Sequence, residues 1–272
     1  MTARREHRRR AFSPVELLVV MAIIGVVSAL LLPAVQAARE ATRRNDCLNR
    51  LRQLALACQH YESARGHLPP GAEAREYPAE PQTPHTFYRW SAIAYALPYM
   101  EQATTLASVD TSVPLYARDF SIFAQNREGV RTIIPLLLCP SDRNERVSEA
   151  FGPTNYALCG GSGAGGGTPF DADGLFYINS ATPLRKITDG ASRTVLAAEC
   201  TLGEAVPPLT PRSAADPRLM YGFAAAAPLT DASCAATSTW NLSDPPSFAW
   251  ANGEYRSAIY NHYRGPNSAE LD

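Results

Sequence analysis

The stretch "RRRAFSPVELLVVMAIIGVVSALLLPAVQAARE", residues 8–40, decides the fold of the front of this chain. Its apolar run, residues 17–32, is interrupted only by Gly25 and Ser28. The run alone is short for a bilayer, which takes about 20 apolar residues, but the small residues out to Ala38 make up the length. We therefore predict a helix here that suits lipid or a bundle of like helices.

The same helix becomes amphipathic beyond Arg39. Apolar residues then recur with a period of about 3.6, while arginines and other polar residues fill the opposite side. The predicted apolar face consists of Cys47, Leu48, Leu51, Leu54, Ala55, Cys58 and Tyr61. We expect one helix over residues 13–64, its second half laid along a soluble domain. Pro33 lacks an N–H and crowds the preceding turn, so it should kink or locally melt this helix.

Beyond the long helix, the sequence predicts loops, short strands and at most one further long helix. Prolines crowd residues 65–85 and indicate a loop. The run 132–142 is apolar and ends in a turn, and residues 174–179 and 194–199 are typical of strands. Beyond the loop, the only candidate for a longer periodic helix is residues 90–107.

Composition and the absence of known motifs narrow the classes of function that we expect for this chain. The net charge of −1 produces no global field, so no nucleic-acid partner is expected. The six cysteines show no CxxC spacing, which argues against a zinc or redox site; some of them could pair if the body is exported, but the sequence does not assign the pairs. The five histidines form no HExxH motif and no serine stands in a GxSxG elbow, so we do not expect an enzyme.

The N-terminus allows three interpretations. A basic leader, an apolar run and the small residues Val35-Gln36-Ala37 are typical of a signal peptide cut before Ala38. The same leader and run also fit a plain membrane anchor, with the arginines kept inside the cell. Neither interpretation explains the carboxylate of Glu16 at the mouth of the apolar run.

The third interpretation comes from a resemblance. The segment "AFSPVELLVVMAIIGVVSALLLPAVQAARE" resembles the N-terminus of type IV prepilins and type II secretion pseudopilins. The resemblance implies that prepilin peptidase cuts between Ala11 and Phe12, that the new amine is methylated, and that Glu16 becomes the fifth mature residue. Pro33 stands where many pilins also have proline. The departure is Ala11, because glycine is the usual residue before the cut.

This resemblance gives Glu16 a role. A carboxylate at membrane depth is unfavourable unless it is paired. The amine created at Phe12 could neutralise Glu16 of a neighbouring subunit and set the axial register of the two helices. We therefore expect a structural subunit of the inner membrane, assembled with other pilin or pseudopilin subunits into a type IV pilus-like or type II secretion filament. The alternative is a membrane-anchored, extracytoplasmic ligand- or glycan-binding protein that does not polymerise.

A second resemblance covers nearly the whole chain. The blocks "LLLPAVQAAREATRRNDCLNRLRQLALACQHYESARGHLPPG", "LLLCPSD", "NYALCGG", "DADGLFYINSATPLRKITDGASRTVLAAE" and "YNHYRGPNS" are similar to successive blocks of a large bacterial pilin-like family with a C-terminal domain of unknown function. Members of that family often close with a His-Gly-Gly segment and a hairpin. No such segment is present before Asp272, so we expect a fragment or a shortened member.

The two resemblances and the periodicity together predict an α+β, pilin-like fold. The hydrophobic half of a long N-terminal helix protrudes, and its amphipathic half packs on a small antiparallel β-sheet within a loop-rich C-terminal domain. The predicted segments are a basic leader (1–11), a transmembrane and assembly helix (12–38), its amphipathic continuation (39–64) and a periplasmic or other extracytoplasmic globular domain (65–272).

One metal site is a candidate. The segment "DADG", residues 171–174, resembles the start of a calcium-binding loop, with Asp171 and Asp173 as ligands. Some pseudopilins bind calcium in their C-terminal loops. The glutamate expected at the last loop position is missing, because Thr182 stands there. A solvated turn is the alternative, and no other cofactor is expected.

Overall fold

The structure is a computed structural model that describes residues 14–143, 145–163, 172–204, 230–236 and 244–262. The chain divides into two compact units, Met1–Asn45 and Asp46–Asp272.

Helix α1 is the dominant element and runs over 52 residues, Pro14–Arg65. The predicted helix over residues 13–64 is thereby confirmed to within one residue at each end. Pro33 lies inside the continuous helix, so the predicted local melting does not occur. A proline removes one backbone hydrogen bond, and a helix with this many turns on either side keeps the rest. The kink stays a prediction.

In the N-terminal unit, every described residue from Pro14 to Asn45 is exposed. The exposed residues include long apolar side chains, such as Leu18 at 69% and Leu30 at 70% of their full accessible area. Soluble domains seldom leave a continuous apolar surface of this length in water.

In the second unit, the remaining turns of α1 bury one face. Cys47, Leu54, Ala57 and Cys58 are buried on it, as amphipathic periodicity requires. Leu48, which is predicted on this face, is instead 46% exposed. It lies about 100° round the helix from Cys47, which is outside the arc that contacts the body.

The other helices are short. The predicted helix over residues 90–107 is wrong as a single element, because it is divided into α2 (Ala92–Ala96), a 3-10 turn (Leu97–Tyr99) and α3 (Ala103–Ala107). Pro98 opens the 3-10 turn, and Glu101 takes a left-handed φ of 56° that no helix continues through. The remaining short elements are α4 (Arg127–Val130), α5 (Asp231–Ala235) and 3-10 turns at His85–Phe87, Ala124–Asn126, Pro135–Leu137 and Leu184–Lys186.

A small sheet has the order β2-β1-β3. Its strands are β1 (Tyr156–Gly161), β2 (Ala197–Glu199) and β3 (Ile259–Asn261). Strand β1 is buried along its whole length and pairs antiparallel with β2 but parallel with β3. The predicted sheet was all antiparallel, so this detail is wrong. A parallel pair needs a long crossover, and the chain between β1 and β3 is long enough to supply one.

The predicted strand over residues 174–179 is not a strand. Ile178 forms only an isolated bridge with Ala72, and Asn179 turns the chain with a φ of 58°. Gly174 packs so close to β1 that an added Cβ would lie 2.3 Å from the carbonyl carbon of Gly160. This segment crosses the end of β1 instead of extending the sheet. The prediction over residues 194–199 is confirmed for its second half, β2.

The core lies in the second unit. Its largest fully buried side chains are Trp90, Trp250, Tyr156, Phe176 and Phe248. Leu54 of α1 belongs to the same cluster, so the amphipathic part of the helix packs on the sheet-bearing body. The predicted class, α+β with a long N-terminal helix, a small sheet and a loop-rich remainder, is confirmed.

Candidate functional site

The first candidate element is the apolar part of α1. Glu16 lies in its first turn, where the positive end of the helix dipole favours a carboxylate. Ala11 and Phe12, the predicted cleavage residues, lie outside the described residues. Helix α1 is long and apolar enough to cross a membrane, although a signal sequence near the N-terminus satisfies the same criterion. The helix is therefore compatible with a membrane anchor or a signal.

The second candidate element fastens α1 to the globular body. Cys47 and Cys139 form a disulfide with a Cα–Cα distance of 5.2 Å across 92 residues of sequence. One turn further along α1, the Arg50 guanidinium donates to the carbonyl oxygen of Pro135 at 2.7 Å and also to that of Leu138. The Tyr156 hydroxyl donates to the Cys47 carbonyl oxygen at 3.3 Å. We call Cys47, Cys139, Arg50 and Tyr156 the clasp.

Asn155 organises the loops behind the clasp. It is fully buried at the start of β1. Its Oδ1 accepts from the Cys139 N–H at 2.8 Å, and its Nδ2 donates to the Cys200 carbonyl oxygen at 2.8 Å and to Asp142 Oδ2 at 2.5 Å. The Asp142 carboxylate in turn accepts from the Leu202 N–H at 2.8 Å. One amide thereby connects the loop that carries Cys139 to the chain after β2.

Replacing Asn155 by Ala should lower the free energy of unfolding by about 3 kcal/mol, because one buried partner and two partly buried partners lose their hydrogen bonds together. Chemical denaturation of the full chain in detergent measures this. The matched control is Asn49→Ala on the exposed side of α1, which should change stability by less than about 0.5 kcal/mol. Equal stability of the two variants would show that Asn155 does not organise these loops.

The clasp cysteines do not fit a metal site. Ligand atoms of Cys47, Cys139 and Glu199 lie within 4.8 Å of one another. The two sulfurs are bonded to each other, however, and a disulfide lacks the thiolate that a zinc ion binds. The carboxylate of Glu199 therefore lies beside the Cys47–Cys139 disulfide. Burial, and then the charge of Asp142, raise the pKa of Glu199 above its ordinary value of 4.5.

The raised pKa of Glu199 sets the sign of a pH effect. A carboxyl group with a raised folded-state pKa stabilises the fold below its unfolded pKa, and this contribution is lost as the pH rises through the folded-state pKa. Glu199→Gln should therefore give a small rise in melting temperature at pH 7 that disappears below pH 4.5.

The control for Glu199→Gln is a substitution whose expected effect on the melting temperature at pH 7 has the opposite sign. Hydrogen bonds from Ser112 lower the pKa of Asp110, so Asp110→Asn should reduce the melting temperature at pH 7. Thermal melts at both pH values compare the variants. A Glu199→Gln protein that is less stable than wild type at pH 7 would contradict the assignment.

The predicted calcium ligands are only partly described. Asp171 lies outside the described residues. Asp173 uses both carboxylate oxygens on Ser162, accepting from its N–H at 2.7 Å and from its hydroxyl. Gly161 faces this carboxylate with a φ of 120°, where a Cβ would lie 2.0 Å from Asp173 Oδ1. Asp173 therefore closes the turn after β1, and the calcium site stays a prediction.

Two of the described cysteines outside the disulfide are unreactive thiols. Burial raises the pKa of Cys58 to about 12 and that of Cys200 to about 11. Both thiols stay protonated at neutral pH and cannot attack the disulfide. Sequence reasoning did not identify the Cys47–Cys139 pair or the role of Asn155. Only one signal pointed to the pair: Cys47 lies on the apolar face of α1 and Cys139 ends an apolar run.

Comparison with known proteins identifies the family but no close relative. The chain has no significant match among curated proteins and none among solved structures. A family model described as "Protein of unknown function (DUF1559)" matches residues 36–272, which begin inside α1 and include the clasp and the sheet. The chain therefore belongs to this DUF1559 family, a family of unknown function often associated with pilin-like proteins.

Proposed function

We propose that this chain is a pilin-like structural subunit. It enters the inner membrane through α1 with its body outside the cytoplasm. Prepilin peptidase then processes it between Ala11 and Phe12, and it joins other pilin or pseudopilin subunits in a type IV pilus-like or type II secretion filament. The observation that carries the proposal is α1 itself: a single helix has an apolar half that is wholly exposed and a second half that is covalently fastened to a folded body.

The exposed half suits two successive environments. Its large apolar side chains fit lipid before assembly and fit neighbouring helices after it. Small residues at Ala22, Gly25, Ser28 and Ala29 would let a second helix approach closely. A Cβ added at Gly25 would meet nothing within 4 Å, so packing inside this chain does not require glycine there.

The clasp suits a subunit that is pulled or pushed through its helix. Force applied to α1 reaches the body through a disulfide and through the buried side chains of Leu54 and Cys58. A covalent crosslink holds where side-chain packing alone would yield by local unfolding.

Mass spectrometry of the N-terminus of the protein isolated from its own cells tests the proposal. A mature chain that begins with methylated Phe12 supports it. A chain that begins at Ala38 shows a signal peptide, and an intact Met1 shows an uncleaved anchor; either result overturns the proposal. The same preparation separated into membrane and sheared-filament fractions reports whether the subunit polymerises.

The second candidate is a membrane-anchored ligand-binding protein that does not polymerise. It shares the anchor and the body but has no use for a charge at Glu16. The ring of Phe120, which is 49% exposed and lies beside the Arg89–Glu254 ion pair, favours this candidate or a filament subunit that also binds a ligand.

A further inference from the structure

A tight hairpin presents Phe120 at the surface of the body. Tyr116 and Ile122 form an antiparallel bridge, and the Phe120 N–H donates to the Ala117 carbonyl oxygen at 2.9 Å to close the turn. Phe120 has a φ of 67°, a left-handed conformation in which glycine or asparagine is favoured. The turn would be less strained without an aromatic side chain at this position.

The Phe120 ring is both fixed and accessible. It stacks on Tyr116 with a centroid distance of 4.6 Å and an interplanar angle of 19°. Phe87 meets it edge-on at 5.1 Å. Even so, Phe120 is 49% exposed. A rigid aromatic surface that faces solvent offers contact area with little loss of conformational entropy on binding.

Charged groups border this surface. The guanidinium of Arg89 lies 5.7 Å from the centre of the Phe120 ring and 5.8 Å from that of Tyr116. The same guanidinium forms an ion pair with Glu254 in which both side chains are 22% exposed. Arg89 also takes a left-handed φ, of 45°, so two strained non-glycine residues meet at one place. The Arg89–Glu254 ion pair presents hydrogen-bond donors and acceptors side by side.

The buried side chain of Asn252 positions Tyr116 and Glu254. It is fully buried, and its Nδ2 donates to the Tyr116 hydroxyl and to Glu254 Oε2, each at 3.1 Å. Its Oδ1 is buried and accepts no hydrogen bond from the described part of the chain. The amide fixes the carboxylate and the phenol that flank the exposed ring.

We propose that this surface binds a carbohydrate, specifically a pyranose whose hydroxyls are equatorial. The flat C–H face of such a ring would lie on Phe120, and its hydroxyls would meet Arg89 and Glu254. A neutral ligand with many hydroxyls uses donors and acceptors at once, which the ion pair supplies. Charges of both signs are present at this surface, since the Glu254 carboxylate forms ion pairs with Arg89 and Arg256. Binding here does not depend on filament assembly.

The test is saturation-transfer NMR on the full chain in detergent micelles, with cellotetraose as the probe. The axial protons on the flat face of the sugar should receive the strongest transfer. Phe120→Gly should weaken binding at least tenfold while the protein stays folded, because glycine suits the left-handed turn and this offsets part of the lost ring packing. Phe120→Tyr retains the ring and should retain binding, as should Ile133→Ala at another exposed apolar position.

Three results would overturn the proposal. The first is no transfer from the wild-type protein to cellotetraose. The second is unchanged binding in Phe120→Gly. The third is a loss of self-association in Phe120→Gly without any sugar binding by the wild type, which would assign the surface to a second copy of the chain. If Phe120→Gly unfolds, Phe120→Asn removes the ring at a residue type that tolerates this φ, and the same criteria apply to it.

Discussion

Replacing Cys47 and Cys139 together by serine should lower the free energy of unfolding of this protein by about 4 kcal/mol. The crosslink spans 92 residues of sequence, so its loss greatly increases the conformational entropy of the unfolded chain. The loss also releases a turn of α1 whose other attachments are hydrogen bonds of Arg50 and Tyr156. Equilibrium denaturation of the full chain in detergent is the measurement.

The control for this prediction separates the crosslink from cysteine removal in general. Cys200→Ser changes a partly buried cysteine in the same region that accepts a hydrogen bond from Ser247. That variant should still lose stability when a reductant is added, as wild type does, whereas the double serine variant should be insensitive to reductant. A wild-type protein whose stability does not respond to reductant would show that the disulfide does not form or does not support the fold.

The disulfide should also resist exchange with the thiols of Cys58 and Cys200. Exchange needs a thiolate, and burial raises the pKa of Cys58 to about 12 and that of Cys200 to about 11. Neither thiol ionises appreciably at neutral pH. Exchange with Cys58 or Cys200 therefore does not compete with the Cys47–Cys139 pairing outside the reducing cytoplasm, where the proposed function places the body.

The features that the sequence predicted correctly are local ones. The bounds of α1, its change from apolar to amphipathic and the loop after it all follow from the periodicity and composition of adjacent residues. The helix dominates because its signal extends over many turns. The mistake at Leu48 shows the limit of this reasoning, since periodicity defines an apolar arc but the body decides how much of that arc it covers.

The features that were missed depend on contacts between distant residues. Strand β3 lies parallel to β1 after a long connection, and Asn155 joins loops that no spacing pattern connects. Residues 174–179 have the composition of a strand, yet Gly174 is drawn against β1 and the segment turns away. Aromatic Phe120 in a glycine-like conformation gives no signal in the sequence, because its φ is set by the hairpin around it.

Replacing Glu16 by Ala should reduce incorporation into filaments by about a hundredfold while leaving the protein in the membrane. On assembly, the Glu16 carboxylate would pair with the Phe12 amine of a neighbour at membrane depth, where a charge without an opposite charge is unfavourable by about 2.5–3.5 kcal/mol. Alanine abolishes this pair and would leave the neighbour's amine without its counter-charge, and a difference of this size corresponds to roughly a hundredfold in equilibrium. Immunoblots of sheared and membrane fractions measure the ratio.

The matched control is Glu40→Ala, which removes another exposed glutamate from α1. Glu40 lies beyond the apolar run and pairs with Arg43 within its own helix, so its loss should leave incorporation unchanged. Glu16→Gln distinguishes charge from size, and it should fail as Glu16→Ala does, because an amide cannot neutralise an amine. If Glu16→Ala reached the sheared fraction at the wild-type level, the register role of Glu16 would be wrong. If neither wild type nor variant reached that fraction, the anchored ligand-binding protein would be the better account, and sugar binding at Phe120 would be its direct test.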